Sequence, residues 1–260
     1  MVSIPFVKAS ACGNDFLIIG VEHAPTDIAA FTRTICDRHN GVGADGVEWV
    51  MPASDADLAI RLINSDGSDA EISGNGTRSV AAWYCAERGR ESVVIRTDAG
   101  LKTCEQTGRD GLNFEFRTSM GEPVVGGEST VEVDVESYSG VIVSMGNPHF
   151  VIFVDEFTPS WQTWAARISV HPRFPHGTNV ELVKVLNRHE IEARFFERGA
   201  GQTMSSGTGS SASSAASIHT GRAESPVRVH APGGTQTVDW QGELFLEGPA
   251  RILCRGDFFI

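Results

Sequence analysis

The chain is 260 residues long, 41% hydrophobic, with 28 glycines and a formal net charge of -12. That length suits two ordinary domains with real cores, and no apolar run is long enough for a membrane span. The acidity argues against a nucleic acid or an anionic membrane as partner, since both reward lysine and arginine, so neither is expected.

In chain order, residues 16–20 are a short apolar run after a Gly-Asn-Asp turn and predict a buried strand. Residues 25–38 open with a Thr-Asp cap signal and carry apolar residues at helical spacing. Residues 47–51 and 58–63 are strand-like, and the alternation of Leu58, Ile60 and Leu62 predicts a half-buried sheet. A Ser-Gly-Asn-Gly turn at 73–76 precedes a helix closed by Gly89. Strands at 93–97, 101–105 and 112–116 read as a meander with turns at 98–100 and 108–111. Residues 120–130, MGEPVVGGEST, read as a linker. Strands at 131–135, 141–144 and 150–154 follow, with a helix near 158–168 and strands at 180–186 and 189–196. A second glycine turn opens a serine- and alanine-rich helix ended by Gly221, and residues 227–230, 236–239 and 244–246 close another meander. The opening MVSIPFVKASACGNDF lacks the charged-then-apolar pattern of a signal peptide, so a cytoplasmic location is expected. Five cysteines (Cys12, Cys36, Cys85, Cys104, Cys254) are odd in number and show no CxxC spacing. They read as buried small hydrophobes, with neither a metal nor a disulfide framework expected.

One numerical relation organises these elements. Arg61 and Arg194, Ser73 and Ser206, Gly74 and Gly207, and Gly76 and Gly209 all differ by 133, and so do Asn14 and Asn147. An offset kept at sites so far apart predicts an internal duplication. The expected fold is α+β: two pseudo-symmetric domains, residues 1–120 and 121–260, each a mostly antiparallel sheet around one principal helix at its glycine turn. A site shared by the two turns is the natural expectation.

A Ser-Gly-x-Gly turn at a helix start leaves backbone N–H groups at the positive end of the helix dipole, where a carboxylate or phosphate binds. Taken singly, Ser73 and Ser206 read as helix N-caps. Taken together, with Asn64/Glu197 and Asn14/Asn147 in step, they read as parts of a binding site. The polar residues around the turns are Asn14, Asn64, Asn75, Asn147, Asn179, Glu197, Arg198 and Thr208. Amides and one Glu-Arg pair suit a small zwitterionic amino acid. Neither GxGxxG after a strand nor GxxxxGK[ST] occurs, so no nucleotide fingerprint is present.

The motifs GNDF at 13–16, DRHNGVGADG at 37–46, NSDGSDAE-x-SGNGTR at 64–78, GNPH at 146–149, TNVE at 178–181 and ERGAGQT-x-x-SGTGS at 197–210 cover nearly the whole chain. In this order they resemble the diaminopimelate epimerase family, cofactor-independent isomerases of lysine and peptidoglycan precursor synthesis. The resemblance implies two similar domains, no cofactor such as PLP, and a two-base transfer of an α-proton between LL- and meso-diaminopimelate. It implies that Asn14, Asn64, Asn147, Asn179, Glu197 and Arg198 bind substrate, with Glu197 and Arg198 near the α-amino group. Gly74, Asn75, Gly207 and Thr208 would meet the α-carboxylate, and His149 and Glu197 would orient the bases. Gly46 stands where some members have glutamine, at the distal contact. A homodimer is the assembly allowed for.

The bases of that family are cysteines immediately before GNG and GTG, whereas Ser73 and Ser206 stand here. A thiol starts at a pKa of about 8.5 and an alcohol far above it; each unit of mismatch is worth roughly 1.4 kcal/mol. A serine therefore needs a neighbouring base, for which His149, Glu197 and His39 are candidates. Three readings stay open: an epimerase whose two cysteines have been replaced, a family member that isomerises or dehydrates its substrate with serines, and a non-catalytic or repurposed member that binds or isomerises another small amino acid. Cys12, two residues before Asn14, reads as structural rather than as a displaced thiol.

Overall fold

The computed structural model describes residues 3–260; Met1 and Val2, the start of the expected first domain, lie outside the described residues. β1 (Ser3–Ala11) and β2 (Asn14–Gly20) form an antiparallel hairpin turned at Cys12 and Gly13, whose φ values are 52° and 77°. α1 (Ile28–Cys36) is capped by Asp27, which accepts the Ala30 N–H at 2.9 Å. β3 (Gly46–Met51) runs parallel to β2 and antiparallel to β4 (Leu58–Asn64), which continues into the short β5 (Asp69–Ala70). α2 (Gly74–Arg88) ends at Gly89, left-handed at φ 61°. β6 (Ser92–Thr97), β7 (Gly100–Asp110) and β8 (Asn113–Gly121) form the expected antiparallel meander.

The next elements are β9 (Val124–Val133), β10 (Glu136–Ser144), β11 (Pro148–Phe153), α3 (Trp161–Ser169), β12 (Asn179–Asn187), β13 (Glu190–Glu197) and β14 (Gly201–Thr203). α4 (Gly207–His219), β15 (Val227–Ala231), β16 (Gly234–Gln241) and β17 (Glu243–Phe259) complete the chain. The duplication is visible in strand register. β2 and β3 are parallel with Phe16 opposite Gly46, and β11 and β12 are parallel with His149 opposite Asn179; both positions move by 133. Leu62 faces Ala70 across β4 and β5, and Phe195 faces Thr203 across β13 and β14, again 133 apart. The α+β fold of two pseudo-symmetric, mostly antiparallel sheets, each with a principal helix, is thus the observed one.

The two principal helices are built to be surrounded. Ala81, Ala82 and Cys85 of α2 pack in a core with Ile18, Ile60, Ile95, Phe114 and Phe116. On α4 the residues from Gly207 through Ser217 are all buried, and Ala212, Ala215 and Ala216 meet Val183, Phe195 and Val238. Small side chains let sheet close on more than one face of such a helix, so neither helix needs a wide polar stripe.

Five expectations change. Residues 120–130 are no linker: from Val124 the chain is β9, laddered antiparallel to β10, with a register shift at Gly126-Gly127 where Gly127 has φ 82°. The paired glycines accommodate a bulge that other residues resist, and the backbone N–H and C=O groups are satisfied by β10. The Ser-Gly-x-Gly glycines form the first turn of α2 and α4 instead of preceding them. The cap after α4 is Thr220, one residue before Gly221, and Cys254 is exposed while the other four cysteines are buried. Finally, the chain forms two compact units, one of residues through Ser119 together with Glu247–Ile260 and one of Met120–Leu246. The end of the expected 121–260 domain therefore belongs to the first unit. β17 continues past the local meander and pairs antiparallel with β1, from Ser10 opposite Arg251 to Ser3 opposite Phe259, burying Ala250 and Ile252 in the core of α2.

A chain ending at Leu246 is accordingly expected to lose the amide and near-ultraviolet signals of the α2 core and to unfold on the order of 10 °C lower. An unchanged melting curve of the shortened chain would show that this strand contributes no fold stability.

Candidate active site

Each principal helix begins with a serine cap. Ser73, extended at φ -122°, accepts the Gly76 N–H on Oγ at 3.1 Å; Ser206, at φ -140°, accepts the Gly209 N–H at 3.0 Å. Neither third helical position has room for a side chain as its neighbours stand. A methyl on Gly209 would stand 2.7 Å from Phe195 Cδ1 and 2.9 Å from Ser206 Cβ, and one on Gly76 would collide with Glu48 Oε1. The N–H groups of Gly74 and Gly207 stand in the first turn, at the positive helix end.

An asparagine from the preceding turn braces each helix start. Asn75 Nδ2 donates to Asn14 Oδ1 at 3.5 Å, and Asn147 Nδ2 donates to Thr208 Oγ1 at 3.4 Å. Asn14 and Asn147 are 133 apart, as are Asn75 and Thr208, so one brace occurs twice. In the first half it is extended by charge. Asn14 donates to Asp45, Arg38 bonds both Asp15 and Asp45, and Lys8 pairs with Asp15 at 2.9 Å. Although burial alone would raise the Asp15 carboxyl, Arg38 and Lys8 hold it below its ordinary value. Asp45 goes the other way, pushed up by burial and by the charge of Asp15. Arg78 is fully buried beneath the turn, donating to Asn75 Oδ1 and Gly74 O, and burial pulls its pKa below the ordinary guanidinium value.

The second half carries its own carboxylates. Ser206 donates from Oγ to Glu197 at 3.0 Å, and Thr203 donates to the other oxygen at 2.7 Å. Burial pushes Glu197 up to about 7, against the lowering effect of those two donors. His149, with no exposed surface, places Nδ1 2.7 Å from Glu181 and Nε2 2.8 Å from Asn147 Oδ1. Because the Asn147 amide nitrogen donates to Thr208, its oxygen is the acceptor toward His149 Nε2. Burial shifts Glu181 upward. Asn179 accepts the Arg198 N–H at 2.8 Å, and Arg198 itself reaches His176 O at 2.9 Å.

Of the sequence-derived residues, Ser206, Gly207 and Glu197 form one connected group, Asn147, His149 and Thr208 a second, Asn179 and Arg198 a pair, and Asn14, Asn75 and Gly74 a group at the start of α2. Asn64 instead bonds Ser68 Oγ at 3.1 Å within its own hairpin. Among the helper-base candidates, Glu197 reaches a serine; both ring nitrogens of His149 are engaged by Glu181 and Asn147, and His39 is exposed after α1. Sequence reasoning missed Thr203, Arg78, the Asp15–Arg38–Asp45 cluster, and the buried pair of positions Glu48 and Glu181. The last was available, since Glu48 and Glu181 also differ by 133.

Solved structures share this fold. A hydroxyproline epimerase from Agrobacterium vitis superimposes with a TM-score of 0.77 at 17% identity, covering 98% of this chain and 91% of that one. A probable proline racemase from Agrobacterium radiobacter gives 0.79 at 16% identity, with 99% and 93% covered, and a PhzF-family protein from Bacillus anthracis gives 0.71 at 16%, with both chains fully covered. The fold is thus that of the racemase, epimerase and PhzF proteins. At the sequence level the profile of diaminopimelate epimerase matches residues 6–125 and 141–253. The diaminopimelate epimerase of Moorella thermoacetica is 38% identical over 97% of this chain and 98% of its own, and that of Halothermothrix orenii is 34% identical over 100% and 99%. The chain belongs to the diaminopimelate epimerase family.

The Ser206–Glu197 bond has a measurable consequence. Ser206→Ala removes a donor that holds Glu197 down, so the Glu197 titration, followed by 13C NMR, is expected to move above its value of about 7, and loss of the cap costs about 1 kcal/mol of stability. The sign follows from a carboxyl that binds its proton more tightly folded than unfolded. Its contribution to stability declines as pH rises from the ordinary carboxylate range toward 7, and further upward in the variant.

Proposed function

We propose that this chain interconverts LL- and meso-diaminopimelate by two-base α-proton transfer without a cofactor, with Ser73 and Ser206 at the base positions. The observation that carries this reading is the Ser206–Glu197 bond: a serine at a helix start, hydrogen-bonded to a carboxyl shifted toward neutrality. Glu197 accepts the hydroxyl proton as Ser206 Oγ takes the proton from the α-carbon, so one proton passes from carbon to carboxylate. Charge developing on the substrate carboxylate is met by the first turns of the helices, Gly74 and Asn75 in one half and Gly207 and Thr208 in the other. Asn14, Asn64, Asn147, Asn179 and Arg198 supply the remaining contacts to the zwitterion, and Gly46 leaves room at the distal end. His149 orients its surroundings through Asn147. The protein works in the cytoplasm, and a homodimer is the assembly this reading carries.

The serines themselves favour a second reading, a repurposed member that binds or isomerises another small amino acid. The test is α-proton exchange from LL-diaminopimelate in deuterated water, for the chain as it stands and for Ser73→Cys/Ser206→Cys. Restoring both thiols is expected to raise exchange by at least about 100-fold, since each pKa unit gained at a base is worth up to tenfold in rate. A double-cysteine chain that neither exchanges nor epimerises, yet binds other amino acids as tightly in calorimetry, would establish the second reading.

A further inference from the structure

The first half has no counterpart of Glu197 beside its serine, because the position 133 earlier is Asn64, an amide that cannot take up a proton. It does contain a carboxyl that nothing explains. Glu48 lies on β3 opposite Ile18 of β2 and Leu62 of β4, is fully buried, and neither of its oxygens has a hydrogen-bond partner. Its counterpart Glu181 holds His149 on one oxygen, the other having no partner, but the residue equivalent to His149 is Phe16, so Glu48 lacks even that bond. A buried carboxyl without a partner costs stability, which a chain does not retain for packing alone.

Its position is informative. Glu48 Oε1 presses on Gly76 in the first turn of α2, at the spot where a side chain would begin, and that same spot is 3.2 Å from Ser73 Cβ. In the second half the corresponding space beside Gly209 is filled by the Phe195 ring. The carboxyl thus lies against the underside of the turn whose cap is Ser73, one side-chain position away from it.

Resting on the reading of Ser73 as a base position, we propose that Glu48 is the proton acceptor for Ser73, the positioning residue that the first half draws from a strand interior where the second half uses Glu197. As Ser73 Oγ takes the α-proton, its O–H proton passes to the Glu48 carboxylate; in the reverse step both protons return. The fold therefore supplies one helper carboxyl per serine from two different strands.

Burial pushes Glu48 up to about 8. The charged groups on the neighbouring elements are committed elsewhere: Asp15 of β2 to Lys8 and Arg38, Arg61 of β4 to Asp69, and Arg78 of α2 to Asn75. Exchange that uses Ser73 as base should accordingly rise with pH through about 8, since the carboxyl must first lose its own proton. Glu71, half-buried two residues before Ser73, is the competing carboxyl.

The decisive test needs neither substrate nor turnover, so its failure is distinct from failure of the epimerase assignment. In a Cys254→Ser background, which removes the exposed thiol, the Ser73→Cys variant is alkylated with iodoacetamide across pH 6–10 and followed by mass spectrometry. With Glu48 present the introduced thiol and the carboxyl lose two coupled protons and the rate rises in two steps; Glu48→Gln, or Glu48→Leu if the amide does not fold, is expected to leave a single step and alkylation several-fold faster at pH 9. Superimposable curves overturn the proposal, as does a single step produced by Glu71→Gln but not by either change at 48. A reading that leaves residue 48 intact is the Glu48 carboxyl titration by 13C NMR before and after alkylation of the introduced thiol: a displaced titration supports the coupling, and an unmoved one overturns it.

Discussion

The structure depends on one small interaction used twice, a serine hydroxyl accepting the N–H three residues on at the first turn of a helix. That bond fixes where α2 and α4 begin, turns their first N–H groups outward, and leaves the serine oxygen with a hydrogen to give. In the second half the hydrogen goes to Glu197. The geometry that satisfies a helix end also makes a poised proton donor and acceptor, so capping and chemistry are two uses of the same oxygen.

Around this shared feature the halves have diverged in their interiors. The brace from Asn14 to Asn75 recurs as Asn147 to Thr208, yet the side chains beneath differ: Arg78 in one half and Ser211 in the other, Phe16 and His149, Gly46 and Asn179. Strand registers repeat because they are set by backbone pairing. The partners of the buried polar groups repeat only in part, because each half provides different neighbours. Glu181 keeps one oxygen on His149 and leaves the other without a partner, whereas Phe16 offers Glu48 nothing. The same duplicated backbone thus carries two electrostatic interiors.

What could be read from the sequence follows from how local each signal is. The caps at Ser73 and Ser206, the stop at Gly89 and the strand alternation at Leu58, Ile60 and Leu62 depend on neighbours within a few residues, and they appear where expected. The stretch 120–130 misled because glycine and proline suggest a linker, whereas Gly126 and Gly127 mark a bulge in a strand whose partner is β10. β1 was invisible because its mixed sequence becomes a strand only between β2 and β17, partners separated by most of the chain. Glu48 sits in the run GVEWV, where its burial is decided by α2 packing on that face, and only the offset to Glu181 hinted at it. The motifs gave the family; they could not say which hydroxyl meets which carboxyl.

The route of β17 bears on how the chain is made. Ala250 and Ile252 complete a core whose other members lie before residue 117, so that core cannot close until β17 has left the ribosome. The middle of the chain, Met120–Leu246, holds its own core and is free to condense earlier. Of the two units, the one whose larger part is translated earlier is thus the later to finish, and until then it presents β1 as an open edge.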